Sequence, residues 1–226
     1  MQNPAQLLLV QARFGEALAA FDAELAHAPG DVGALFGRAT ALKHMGRHEE
    51  ARAAFDAVLA KAPNAAGARN NRGDTLLALG MPAEALDDFD RAIALQPGMP
   101  QGHLGRGIAL QRLRRLEESL SCFTRAVALW PECADAFFFR ALSLEWLGRG
   151  TQALGDYDRA LALEPLSITT TGNRATLLLS LKRFGEAAAG FHKMDQLAPG
   201  SALNGLAYAA AHACDWREWE SRRAET

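Results

Sequence analysis

At 226 residues, 49% hydrophobic and 22% charged, the chain has ordinary water-soluble composition and no apolar run long enough to cross a bilayer. A formal charge of −2 leaves no basic excess for neutralising phosphates, so nucleic acid is not an expected partner. Cys122, Cys133 and Cys214 are widely spaced with no CxxC pair, which excludes a disulfide framework or zinc site and suits a reducing, cytoplasmic setting.

The segment Met1 to Gly15 carries one short apolar run, Leu7 to Val10, and no basic leader, so neither a signal peptide nor a membrane span is expected. From there three residue types recur in step, each 34 positions after the last, as from Phe21 to Phe55 to Phe89. The small column is Ala17, Ala51, Ala85, Ser119, Ala153, Ala187. The aromatic column is Phe21, Phe55, Phe89, Phe123, Tyr157, Phe191, and the proline column is Pro29, Pro63, Pro97, Pro131, Pro165, Pro199. A fixed period of this size marks a stack of supersecondary units, each touching mainly its neighbours.

Within each unit the apolar spacing predicts two amphipathic helices, here called A and B. In the first complete unit, A runs roughly from Gly33 to Met45 and B from Glu49 to Lys61. Gly46, Gly80 and Gly148 mark the turn between them, where glycine takes the left-handed conformation that ends a helix. Arg114 and Lys182 fill the same place in two units, so those turns must close differently. Pro82 falls at the first turn of its helix, where a missing N–H is harmless, and the proline column stops each helix B. Leu8, Leu42, Leu76, Leu110, Leu144 and Leu178 are expected on the inner face of helix A, packed against the aromatic column. The opening helix A is incomplete. After Pro199 a changed helix spans Ala202 to Ala213, with Tyr208 where earlier units carry Arg, and the remaining tail reads as a cap.

In these columns the chain resembles the tetratricopeptide repeat family, whose 34-residue unit is a helix–turn–helix. The resemblance implies an all-α, right-handed superhelical α-solenoid. Its parts would be about six such units over residues 1–201 and a capping helix and tail over 202–226. It also implies a partner protein or extended peptide held on the concave face, with array ends open to self-association. No motif asks for a cofactor, a metal or a catalytic constellation. The stretch GHLGRG at Gly102 has the wrong spacing for a phosphate loop, and His44 and His48 are separated by the Gly46 turn.

Two sets of residues stand out beyond the packing columns. Arg38, Arg72, Arg106, Arg140 and Arg174 form an unbroken column on helix A, near an Asp column of Asp22, Asp56, Asp90 and Asp158 on helix B. Such a column is either a row of guanidinium groups for an acidic ligand or an internal ladder of ion pairs. The expectation is the ladder, because an unpaired buried charge is expensive.

The helical period assigns to the concave face Phe36, Thr40, Asn70, Asn71, Asp74, Leu104, Ile108, Phe138, Phe139, Trp146 and Asn173. In the family an Asn on this face often binds the main chain of a peptide. Asn71 and Asn173 match that column, whereas Gly37, Gly105 and Phe139 depart from it. The carboxylate clamp for chaperone tails needs Lys and Asn at set places that Phe36, Thr40 and Gly105 do not supply, so such tails are not the expected ligand. Of the run Phe137–Phe138–Phe139, Phe137 is expected in the core. The other two, with Trp146, form either extra packing or an apolar anchor.

The segment from Cys214 to Arg222 resembles the junction that follows the last repeat in O-linked N-acetylglucosamine transferase-like proteins, on Cys214, Asp215, Trp216, Trp219 and Arg222. That resemblance implies the substrate-recognition arm of a glycosyltransferase, with its catalytic region beyond Thr226.

Overall fold

A computed structural model describes residues 3–213 of the chain. Among the described residues every regular element is an α-helix. The chain divides into two compact units, the first ending at Leu129 and the second beginning at Trp130.

Unit 1 holds α1 (Pro4–Val10), α2 (Phe14–His27), α3 (Val32–His44), α4 (His48–Lys61), α5 (Ala66–Ala78), α6 (Pro82–Leu95), α7 (Pro100–Arg112) and α8 (Leu116–Leu129). Unit 2 holds α9 (Ala134–Trp146), α10 (Gly150–Leu163), α11 (Ile168–Ser180), α12 (Phe184–Leu197) and α13 (Leu203–Ala213). Odd-numbered helices up to α11 are the A helices and even-numbered ones the B helices. Within each unit every helix packs on its successor, and in unit 1 consecutive A helices also touch. This is the α-solenoid arrangement of stacked hairpins that the columns predict. The opening α1, of 7 residues, is the shortened first helix A.

The helices are set by local chemistry at their ends. Asp31 Oδ1 accepts from Ala34 N at 2.9 Å to open α3, and Ser167 Oγ accepts from Thr170 N at 3.3 Å to open α11. Pro82 and Pro100 stand in the first turn of α6 and α7. At the other end of each A helix the chain turns through a left-handed residue, and the next N–H reaches back to the leucine column. Arg47 N donates to Leu42 O at 3.0 Å, Met81 N to Leu76 O at 2.9 Å, and Arg149 N to Leu144 O at 2.8 Å. Gly46, Gly80 and Gly148 supply the positive φ, at 74°, 76° and 74°. Where glycine is missing the same turn is made regardless. Ala12, Arg114 and Lys182 hold φ of 56°, 63° and 58°, and their turns close on Leu8, Leu110 and Leu178 at 2.9 Å. Tertiary packing therefore imposes a conformation that costs an L-residue on the order of 1 kcal/mol.

Helices of 13 or 14 residues are marginal alone, so their stability comes from packing. Phe21, Phe55, Phe89, Phe123 and Tyr157 are fully buried, as is the whole small column. Leu42 shares a core cluster with Phe55, and Leu76 shares one with Phe89. The rings press onto neighbouring A helices where no side chain intervenes. A Cβ placed on Gly37 would stand 2.2 Å from Phe21 Cζ. One on Gly105 would stand 2.3 Å from Phe89 Cε1, and one on Gly107 would stand 2.4 Å from Phe123 Cε1.

That geometry reverses the usual rule that alanine outperforms glycine in a helix by about 1 kcal/mol. Gly105→Ala is expected to destabilise by roughly 1–3 kcal/mol through overpacking against Phe89. Gly155→Ala, on the open face of α10 with nothing near its Cβ, is expected to stabilise by roughly 0.5–1 kcal/mol. Urea unfolding of the two variants beside the parent checks both signs.

Candidate functional site

The arginine column is a ladder of ion pairs. Arg38 Nε lies 2.7 Å from Asp22, Arg106 Nε 2.5 Å from Asp90, and Arg174 Nε 2.6 Å from Asp158, each pairing with the preceding helix B. Arg140 instead makes a two-pronged pair with Asp156 on its own helix B, both contacts at 2.7 Å. Arg72 does both, reaching Asp56 at 2.5 Å and gripping Asp88 at 2.6 and 2.7 Å. The two carboxylates, Asp88 first, hold its pKa above the ordinary arginine value.

Arg72 forms part of the lining of a groove of about 530 Å³ on the B-helix side, between α4 and α6. The corresponding groove in unit 2, lined by Arg174, Asp158 and Glu186, measures about 380 Å³. These charges answer one another, so the column does not offer a row of open cations to an acidic ligand.

The pairs differ in what they contribute. Asp22, Asp90 and Asp158 are about half exposed, where a pair is worth roughly 0–1 kcal/mol. Asp88 is 1% exposed, and stripping its partner leaves a buried charge.

On the A-helix face of unit 1, Lys43 Nζ donates to Asn71 Oδ1 at 2.9 Å and to Asp74 Oδ2 at 3.2 Å, tying α3 to α5. Burial raises the pKa of Asp74 against the opposing pull of Lys43. Burial, then the nearby Lys43, lowers that of His44, whose ring stacks on Phe14 at 4.7 Å. Phe36 is half-buried and meets Phe55 edge-on, with centroids 6.0 Å apart. Thr40 donates back to Phe36 O at 2.8 Å, while Leu104 and Ile108 are half-buried. Asn70 is set apart from these. It is 7% exposed, and its Oδ1 is sealed from solvent without a hydrogen-bond partner.

In unit 2, Phe137 is buried at 7% exposure under the guanidinium groups of Arg140 and Arg159, at 5.5 and 6.0 Å from its ring centre. Phe138 and Phe139 stay half-buried and meet edge to face, with centroids 5.2 Å apart at 74°. They line a cleft of about 220 Å³, completed by Ala134, Asp135, Glu164, Ser167, Thr169 and Thr170. Phe138 also leans on Tyr157 at 6.1 Å. The Tyr157 hydroxyl donates to Glu145 at 3.0 Å and bonds to Asn173, and its burial beside Glu145 pushes its pKa up. Asn173 is thus tethered to the aromatic column. Trp146 is 47% exposed.

The structure therefore brings the expected residues together in two local groups, one in each unit. Reading by helical period missed Lys43 and the polar side of the cleft. The signal that could have found the cleft is departure from the columns: Asp135 stands where other units carry uncharged residues, and Thr170 where they carry Ala or Gly. The segment Cys214 to Arg222 lies outside the described residues. Among those residues no helix is long and apolar enough to cross a membrane, and no cluster of His, Cys, Asp or Glu could hold a metal.

A family model described as tetratricopeptide repeat matches residues 5–64, 39–100 and 104–168. Among solved structures, a thermophilic TPR protein of Thermus thermophilus is 26% identical. The match covers 81% of this chain and 99% of that one, with a TM-score of 0.63. YrrB, described as a TPR protein with an unusual peptide-binding site, is 22% identical over 86% of this chain and 97% of its own, at a TM-score of 0.65. The Cut9–Hcn1 hetero-tetramer structure gives a TM-score of 0.80 at 18% identity, over 89% of this chain and 41% of that one. No curated protein sequence matches this chain.

Removal of Arg72 should separate the structural rungs of the ladder from the decorative ones. Arg72→Met is expected to cost roughly 3 kcal/mol, at the low end for a broken buried pair because Arg69 remains 3.5 Å from Asp88. Arg174→Met should cost less than about 1 kcal/mol. Denaturant midpoints check this, with Arg72→Met/Asp88→Leu expected to recover most of the loss.

Proposed function

Since the chain belongs to the tetratricopeptide repeat family, matched over most of its length, we propose that it is an interaction scaffold whose A-helix faces hold a partner protein or an extended peptide. The observation that carries this reading is the cleft beside Phe138 and Phe139. Its aromatic wall and its rim of hydroxyl and carboxylate groups supply an apolar seat together with acceptors for main-chain N–H groups. At about 220 Å³ it falls below the roughly 300–1,000 Å³ of pockets for drug-sized molecules, a size suited to one or two anchoring side chains.

Phe36, Thr40, Asn71, Asp74, Leu104 and Ile108 on unit 1, and Trp146 and Asn173 on unit 2, are the further contact residues of this reading. Asn70 enters only if its sealed amide turns outward. The likeness to YrrB is one of fold, and lends a precedent for peptide binding in such an array. The narrower reading, the recognition arm of a glycosyltransferase, rests on Cys214 to Arg222 alone, and none of the structures named above carries it.

Phe138→Asp tests the scaffold reading, because its half-buried ring can be replaced without emptying the column of fully buried rings. The expected outcome is retained helicity by circular dichroism with at least about tenfold weaker capture of peptides bound by the parent. Equal capture by both proteins would remove the cleft from the site.

A further inference from the structure

The cleft of unit 2 differs from its counterparts in charge as well as shape. Glu164 is the C-cap residue of α10, whereas the matching caps of α2, α4, α6 and α12 are Ala28, Ala62, Gln96 and Ala198. A helix C-terminus carries partial negative charge, so a carboxylate there is disfavoured unless a cation answers it. None does: among the described residues the Glu164 side chain has no hydrogen bond or ion pair. Asp135, exposed on the same cleft, has none either, and its charge is met only by the positive end of α9, in whose first turn it stands. Elsewhere in unit 2, Asp156, Asp158 and Glu186 are each taken up by an arginine. Of the carboxylates left over, Asp135 and Glu164 stand together on the lining of the aromatic cleft, whereas Glu132, in the loop before α9, lies outside it.

The same place departs from the repeat in its other residues. Asp135 stands where other units carry Gly33, Gly67, Gln101 and Thr169, and Phe139 where they carry Gly37, Asn71, Gly105 and Asn173. Thr170, 5% exposed, replaces the buried alanines Ala34, Ala68 and Ala136. Neighbouring hairpins take the same fold with none of these residues at the matching places.

We infer that this cleft takes a peptide segment carrying a Lys or Arg side chain beside an apolar one, the apolar group against Phe138 and Phe139 and the cation facing Asp135 and Glu164. The inference rests on the scaffold reading and adds to it the chemistry of the guest. An aromatic wall suits such a guest twice, since ring faces attract cations as well as apolar groups. Attraction of this kind weakens as salt rises.

The test is selection of a random dodecapeptide display library on three full-length proteins: the parent, Phe138→Asp, and Asp135→Asn/Glu164→Gln. The parent should enrich peptides with Lys or Arg within a few positions of an apolar residue. The double variant should lose that bias, and basic peptides resynthesised from the parent pool should bind it about tenfold more weakly at low salt. A parent pool without basic bias, or a bias that survives in the double variant, overturns the inference and leaves the scaffold reading standing. A parent pool indistinguishable from that of Phe138→Asp overturns both.

Discussion

The packing depends on a flat ring from each helix B pressed against a helix A, and at Phe21, Phe89, Phe123 and Phe191 the ring lies on the bare backbone of a glycine. An aromatic side chain is among the largest apolar groups a core can bury, and here it is buried where two helices approach closely. That approach is possible only if the facing residue is small. Gly73 and Gly105 flank Phe89 from two different A helices, and Gly37 receives Phe21. One ring thus holds its own hairpin together and fastens it to the next, which ties the spacing of ring and seat to the length of the repeat. Glycine in mid-helix, ordinarily a weakness, becomes at these rings the condition for so close an approach.

The charged ladder follows from the same packing. Arginine sits on helix A sixteen residues from an aspartate on the preceding or following helix B. Where the aspartate lies outside, the pair is a solvated contact of little consequence. Where it lies inside, as Asp88 does, the arginine is needed to keep a buried carboxylate tolerable. The column looks uniform in sequence, and its energetic weight is nevertheless concentrated at Arg72 and Arg140.

The fold was legible because stacking repeats its demands. The ring, the small residue, the leucine and the proline each return in register, and each has one physical reason to be there. The turns at Arg114 and Lys182 were less so, since nothing local announces a left-handed arginine or lysine; the surrounding stack decides it. Asn70 shows the limit of helical period as a guide to exposure. Its column neighbours Phe36, Leu104 and Phe138 are half-buried, yet Asn70 itself is closed off. Period gives direction around a helix, not the depth at which a neighbour covers it. Asn71 and Asn173 share a column in the sequence, but one is held by Lys43 and the other by the Tyr157 hydroxyl. Those partners sit on other helices and become visible only when the helices are placed.

In a stack where each hairpin answers mainly to its neighbours, a change in one repeat is felt locally. Sequence can therefore drift at a single cleft while the rest of the array keeps its form, which makes the array its own control. A residue shared by all columns reports on the fold, and a residue that leaves its column without a packing reason reports on something else. Gly37 and Gly105 leave the Asn column for a reason the rings supply. Asp135 and Glu164 leave theirs beside the Phe139 ring, around one open volume, and neither carboxylate pairs with a cation among the described residues. A carboxylate at a helix C-terminus with no cation beside it carries an electrostatic cost that the matching Ala28, Ala62, Gln96, Trp130 and Ala198 avoid. Because the cleft is open to water that cost is small, and a guest bringing a positive charge would lower it further.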